Sequence, residues 1–188
     1  METAILSEIE PSPEQLARQA QGGRTTAFES LVERFQSRVL NFILRAVSHQ
    51  ADAEDLTQET FIKAYRSLPG YDERSRFVTW LFVIARRTVV DHFRRRRPGV
   101  VLPLEAAEET PGPADPAAQI SARDRSRSLW AAAQKLPAKQ NEALWLRYGE
   151  DLSIAEVARV MQTNQIHVKV LLHRARQQMA RLLGDSEP

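Results

Sequence analysis

Between Pro98 and Gln119 the chain reads PGVVLPLEAAEETPGPADPAAQ, with Pro98, Pro103, Pro111, Pro113 and Pro116 and no sustained apolar period. Proline lacks the amide proton that a helix interior or a central strand requires, so regular structure stops here. The stretch reads as an extended linker. At 188 residues the chain could form one domain, or two small ones joined by this stretch.

Both flanking segments carry helical spacing. Ser12-Pro13-Glu14-Gln15 combines a cap, a proline at the first helical position and a capping-box Gln, and Gly22-Gly23 should end that helix. Thr26-x-x-Glu29 has the same box pattern ahead of a strong stripe: Phe28, Leu31, Val32, Phe35, Val39, Phe42, Ile43 and Val47. A third helix spans about Asp52 to Leu68, and Pro69-Gly70 closes it. Leu56, Phe61, Ala64, Tyr65 and Leu68 are available to its core side. Asp55, Gln58, Glu59 and Ile62 fall at i, i+3, i+4 and i+7. An acidic stripe that carries an isoleucine suits a protein-docking surface as well as a solvated face.

The next stretch, YDERSRFVTWLFVIARRTVVDHFRRRR, passes from a polar loop into an apolar helix and ends in four arginines. Phe77, Leu81, Ile84 and Thr88 share one face and should pack. Val83, Arg86, Arg87, Val90, Asp91 and Arg94 lie on the other side, beside Trp80. Cations that track phosphates next to an aromatic that can stack on an unpaired base suit single-stranded nucleic acid. Arginines late in a helix also complement its dipole.

Beyond the linker, Leu129, Trp130, Ala133 and Leu136 form a stripe up to Pro137. Leu144, Trp145 and Tyr148 form a second, with Gly149 as its stop. Ser153-x-x-Glu156 is a capping box for a short helix with Ile154, Val157, Ala158 and Met161. Gln162-Thr163-Asn164 then turns into a longer basic helix running to about Leu183, with Asn164 as its cap. Val168, Leu172, Ala175, Met179 and Leu182 can pack, while Lys169, Arg174, Arg176 and Arg181 supply charge. This order describes a helix-turn-helix, whose second helix enters a major groove.

The fold class expected is all-α: two small helical domains, at 1–97 and 123–188, joined by a flexible acidic, Pro-rich linker at 98–122. Composition is ordinary for a soluble protein, at 43% hydrophobic and 27% charged. No cysteine is present, which removes disulfides, thiolate metal sites and a thiol nucleophile. No apolar run nears the roughly 20 residues that span a bilayer, and the acidic start METAILSEIEPSPEQ lacks a signal pattern. A soluble, cytoplasmic protein with no membrane association is expected. His49, Asp52, Asp55, Glu59, Asp91 and His92 are the candidate metal ligands. Asp52 and Glu59 stand about two turns apart on a surface stripe, and Asp91-His92 falls within a basic helix. Neither a metal, a cofactor nor a catalytic group is expected.

Three runs together resemble the small extracytoplasmic-function type of bacterial sigma factor in the sigma-70 family. They are FESLVERFQSRVLNFI, then DAEDLTQETFIKAYRSLPGYDERSRFVTWLFVIARRTVVDHFRRRR, then LPAKQNEALWLRYGEDLSIAEVA followed by the spaced VK and LHRAR. The resemblance covers about Leu16–Arg97 and Leu129–Leu183, which are taken as regions 2 and 4. It implies a protein that binds core RNA polymerase and directs promoter recognition and strand opening, not an enzyme. Asp52, Asp55, Gln58, Glu59, Ile62 and Lys63 would dock on the clamp helices of the largest subunit. Arg74, Ser75, Phe77, Thr79, Trp80, Arg86, Arg87, Asp91, Arg94 and Arg95 would hold the single-stranded non-template strand of the −10 element. Asn164, Gln165, His167, Val168, Lys169, Leu171, Arg174 and Arg176 would read the −35 element, with this domain seated on the polymerase flap. The linker, with Glu105, Glu108 and Glu109 mimicking nucleic acid, would run past the active site. An anti-sigma factor would hold the protein at rest. The rival function is a stand-alone helix-turn-helix regulator, which would bind duplex DNA tightly without polymerase.

One departure from the family stands out. Its usual Gly-Ile-Ser-x-Gly-Thr-Val-Lys-Ser-Arg-Leu is replaced by QTNQIHVKVLL from Gln162 to Leu172. Val170 and Leu171 stand where a hydroxyl and an arginine would face DNA. Loss of one cation lowers a salt slope by about one unit. Weak or atypical −35 specificity is therefore expected.

Overall fold

The computed structural model describes residues 10–47, 49–96, 129–130 and 132–184. The linker reading at 98–122, its acids and Arg97 lie outside these. Among the described residues every regular element is helical: α1 (Pro13–Gln21), α2 (Thr25–Leu44), α3 (Gln50–Ser67), a single 3-10 turn (Leu68–Gly70), α4 (Phe77–Arg96), α5 (Ala138–Leu144), a π-type turn (Trp145–Gly149), α6 (Ile154–Val160) and α7 (Gln165–Gly184).

The caps show why the elements begin where they do. Ser12 and Gln15 form a reciprocal capping box on α1, and Ser153 and Glu156 form one on α6. Asn164 Oδ1 accepts the His167 amide at 2.8 Å and starts α7. The box expected at Thr26 does not form. Gly23, at φ 93, turns the chain early, so α2 begins at Thr25 behind Arg24, which makes no side-chain cap. Thr26 then sits inside the helix, where its carbonyl accepts from Ser30 Oγ at 3.1 Å. α4 borrows its cap from across the fold: the Phe77 amide donates to Glu14 Oε1 of α1 at 2.9 Å.

α2 packs on α1 and α3, and α3 packs on α4. The α2 stripe is buried throughout apart from partly covered Val32. Phe35, Phe77, Phe82, Leu31 and Leu81 form the centre, with Phe35 and Phe77 rings 5.5 Å apart and Phe42 and Phe82 rings edge-to-face at 5.1 Å. Three expected core members differ. Tyr65 is half exposed, its ring standing edge-on to Phe28 at 5.0 Å, and Leu129 and Tyr148 are also exposed.

The second half packs α7 on α5 and α6. Gly149 has a steric reason to lack a side chain: a Cβ there would lie 2.9 Å from the Trp145 ring. The two helical domains expected on either side of the linker meet, α4 lying against α6, and one buried cluster runs from Leu31 and Phe82 through to Leu146, Leu152, Val157 and Leu172. This contact explains why α4 is buried on nearly every side as far as Val90, not on the single face its spacing suggested.

Candidate nucleic-acid interface

Three surfaces carry the expected functional residues. The first is the outer face of α3. Its inner positions, Ala53, Leu56, Thr57, Thr60, Phe61 and Ala64, are buried, which turns Asp55, Gln58 and Ile62 outward. Ile62 is 51% exposed. The flanking acids are tied to the end of α4. Asp52 accepts from Arg96 at 2.8 and 3.1 Å, and Glu59 accepts from Arg95 at 3.3 Å and pairs with Lys63 at 2.9 Å. Lys63 also reaches Asp91 at 3.5 Å. Burial pushes the Glu59 carboxyl up, but Lys63 and Arg95 outweigh it and hold it below its usual value. The arginines read from the sequence as a free ridge are thus partly spent bracing α3. Asp55 makes no ion pair among the described residues and faces solvent.

The second surface is the loop before α4 and the start of that helix. Asp72 Oδ1 accepts the Arg74 amide at 2.9 Å, and the Tyr71 hydroxyl donates to the Ser75 carbonyl at 2.7 Å. Burial, reinforced by Glu14, Glu73 and Asp72, pushes the Tyr71 phenol above its usual value, so it stays a protonated donor. These bonds shape a tight polar loop that presents Arg74 outward. Trp80 is half buried, its ring 5.2 Å from Tyr71 and 5.5 Å from Phe77. Arg87 and Arg94 are exposed.

Three residues expected on this surface are placed differently. Phe77 is fully buried and serves the core. Thr79 is buried, its hydroxyl donating to Glu156 Oε1 of α6 at 2.8 Å. Arg86 is buried and donates to Glu142 Oε1 of α5 at 2.9 Å. Neither Thr79 nor Arg86 is open to a nucleic-acid strand in this arrangement.

The third surface is the start of α7. Gln165 and Lys169 point outward, as do Arg174 and Arg176, while His167 is partly covered. Val168 and Leu171, expected to face DNA, are 0% and 4% exposed. They lie on the face that meets α5 and α6, because i, i+3, i+4 and i+7 from Val168 give Leu171, Leu172 and Ala175, the helix's packing stripe. The outward apolar positions are Ile166, 75% exposed, and Val170. The spacing could have shown this: Ile166 and Val170 are i and i+4 and fall outside that stripe. The turn ahead of α7 holds Gln162 at φ 53, the left-handed region that a glycine tolerates more readily.

The contact between the halves escaped sequence reading. Arg38 Nε donates to Glu150 at 2.8 Å, and Arg45 lies 3.8 Å over the Trp145 ring and 5.3 Å from that of Trp130. Burial lowers the Arg45 pKa to about 10, against the pull of Glu150. Burial also raises the carboxyls of Glu142 and Glu150, opposed by Arg86 and Arg38 respectively. The available signal was charge inside an apolar pattern. Arg86 follows Ile84-Ala85, and Glu142 precedes Ala143-Leu144. A charge at such a position demands a partner, but spacing cannot say which.

Among the described residues no group of three or more His, Asp or Glu side chains converges as a metal site, and no helix is long and apolar enough to cross a membrane.

The Sigma-70 region 2 family model matches residues 31–98, and the Sigma-70, region 4 model matches residues 126–179. The RNA polymerase sigma-H factor of Pseudomonas aeruginosa is 34% identical over 179 residues, covering 90% of this chain and 93% of that protein. The ECF RNA polymerase sigma factor BldN of Streptomyces coelicolor is 36% identical over 176 residues, covering 91% of this chain, which spans 66% of BldN. The solved structure of CnrH in complex with the cytosolic domain of CnrY has the same fold, with a TM-score of 0.66 at 24% identity, covering 94% of this chain and 100% of that one. Two family models in the expected order, on a fold with the expected helices, place the chain in the sigma-70 family of RNA polymerase sigma factors, among those of the extracytoplasmic-function type.

Proposed function

We propose that the outer face of α3 is the polymerase-docking surface and that the 71–76 loop with the exposed side of α4 holds the melted strand. As a sigma factor, the chain binds core RNA polymerase and directs promoter recognition and strand opening. The observation that carries the docking assignment is the outward stripe of Asp55, Gln58 and Ile62. It combines an unpaired acid, an amide and an exposed apolar anchor on a helix fixed by its buried face. Asp52, Glu59 and Lys63 frame the stripe and hold its geometry through ion pairs to α4. Its partner on this reading is the clamp-helix element of the largest subunit.

On the strand-binding side, Arg74, Ser75, Trp80, Arg87, Arg94 and Arg95 supply phosphate contacts and one stacking surface. Asp91 orients Lys63. Capturing an unstacked base costs a few kcal/mol, which stacking and phosphate contacts offset. At the −35 element α7 presents Asn164, Gln165, Lys169, Arg174 and Arg176, joined by Ile166 and Val170, which suit contact with a thymine methyl. The domain limits 1–97, 98–122 and 123–188 belong to the same proposal, as do a cytoplasmic setting and the absence of catalysis. CnrH was solved with CnrY, and a sigma factor from Bartonella quintana with its anti-sigma factor NepR. By analogy, an anti-sigma factor is proposed for this chain.

The test is charge reversal on the docking stripe. Asp55→Arg with Glu59→Arg should abolish binding to core polymerase while the helical signal and melting transition of the protein persist. Unchanged binding would remove the docking assignment.

A further inference from the structure

We propose that the start of α7 selects promoters by the C5-methyl group of a pyrimidine, through Ile166 and Val170, so that thymine and 5-methylcytosine are accepted alike and unmethylated cytosine is disfavoured. The inference rests on the −35 reading of α7 and deepens it. Val168, Leu171, Leu172 and Ala175 are buried where α7 meets α5 and α6, which fixes the rotation of the helix. That rotation turns Ile166 and Val170 outward, one above the other at i and i+4. Isoleucine and valine side chains neither donate nor accept a hydrogen bond, so they do not read the polar edge of a base. In the major groove the apolar feature of an A·T pair is the thymine methyl. A G·C pair presents the same group only when its cytosine is methylated at C5. The surface therefore selects one group, which two bases share.

Charge names the occupant of this face. α7 holds no acid along its 20 residues, and Gln165, Lys169, His173 and Arg174 stand exposed around the two aliphatics. An apolar pair set among cations and an amide suits a polyanion that carries methyl groups. It does not suit the core of a protein interface, where charge is depleted. Asn164 is committed to its cap, its Oδ1 accepting the His167 amide at 2.8 Å, which leaves Gln165 and Lys169 for flanking base edges. Cβ atoms four residues apart on a helix lie about 5–6 Å from each other. Bases on one strand step by about 3.4 Å, so the pair reaches methyls one or two steps apart. One buried methyl is worth about fourfold in affinity, and two give about fifteenfold. A modest preference of that size agrees with the weak −35 specificity expected from the missing arginine.

A promoter is first found by run-off transcription on genomic fragments with the full chain and core polymerase. Its upstream box alone is then randomised, and the sequence enriched by binding to the holoenzyme is read. That box is synthesised with each thymine replaced singly by uracil, cytosine or 5-methylcytosine, with guanine opposite the last two, and affinities are compared by competition. At one or two thymines, loss of the methyl should weaken binding about fourfold on either base edge. Uracil should fall below thymine, and cytosine below 5-methylcytosine, by factors that agree within about twofold. Ile166→Ser with Val170→Ser should erase both differences and leave the melting transition unchanged, since both side chains are exposed. Uracil equal to thymine at every position, or cytosine equal to 5-methylcytosine, overturns the inference and leaves the −35 reading in place. An enriched box without thymine on either strand does the same. Methyl differences that survive the double substitution overturn it too. So does loss of core polymerase binding in that variant, which would make the pair a protein contact. No initiation by the holoenzyme, or no enrichment of any sequence in the box, removes the −35 reading and the inference with it.

Discussion

Two neighbouring helices of the first half, α3 and α4, carry polar and charged residues on the face turned away from their common core, yet those faces meet different fates. On α3 Asp55, Gln58 and Ile62 remain open. On α4 Thr79 and Arg86 are covered by α5 and α6, and the helix is buried on nearly every side. The difference lies in the rest of the chain, not in the local pattern. Arg86 meets an acid 56 positions away, and Thr79 one 77 positions away. A surface helix shows its function directly. A helix at a contact between halves shows only that something polar must sit opposite.

The largest expected effect breaks the covered side. Glu142→Ala leaves the Arg86 guanidinium buried without its carboxylate, which should cost about 3–5 kcal/mol of the closed fold. Denaturant unfolding followed by tryptophan fluorescence reads it, because Trp130 and Trp145 both lie at this contact. A loss under about 1 kcal/mol would mean the halves separate freely and the pair matters little.

A smaller effect sharpens the open side. Ile62→Ala should weaken core polymerase binding about tenfold and leave the melting temperature unchanged, as expected for an exposed anchor with no structural duty. A drop in stability without loss of binding would assign Ile62 to the fold instead.

Two further substitutions test the second half alone. Gly149→Ala forces a Cβ to within 2.9 Å of the Trp145 ring, so the ring or the turn must move, at about 1–3 kcal/mol in thermal unfolding. Gln162→Gly should stabilise by about 0.5–1 kcal/mol, since relief of a left-handed φ of 53 exceeds the entropy glycine adds to the unfolded chain. Destabilisation there would show that the Gln162 side chain makes a needed contact.

Local rules were legible at most places where both partners lie within one or two turns. The boxes at Ser12–Gln15 and Ser153–Glu156, the Asn164 cap and the α2 stripe needed only spacing. The Thr26 box failed because a left-handed glycine two residues before the helix moved its start, a backbone event that side-chain spacing does not record. At the candidate site, the α3 stripe was visible as a pattern and stands outward. Val168 and Leu171 were misplaced because family resemblance, not periodicity, put them on DNA; their own spacing places them in the core. Arg38, Arg45, Glu142 and Glu150 escaped entirely, because pairing between the halves depends on how two separately periodic units dock.

Run-off transcription with purified core polymerase on genomic fragments tests the central claim most directly. The account predicts that the intact protein yields discrete transcripts that core polymerase alone does not make, and that Asp55→Arg with Glu59→Arg yields none. Transcription no better with the intact protein than with core polymerase alone, at any site, would contradict it.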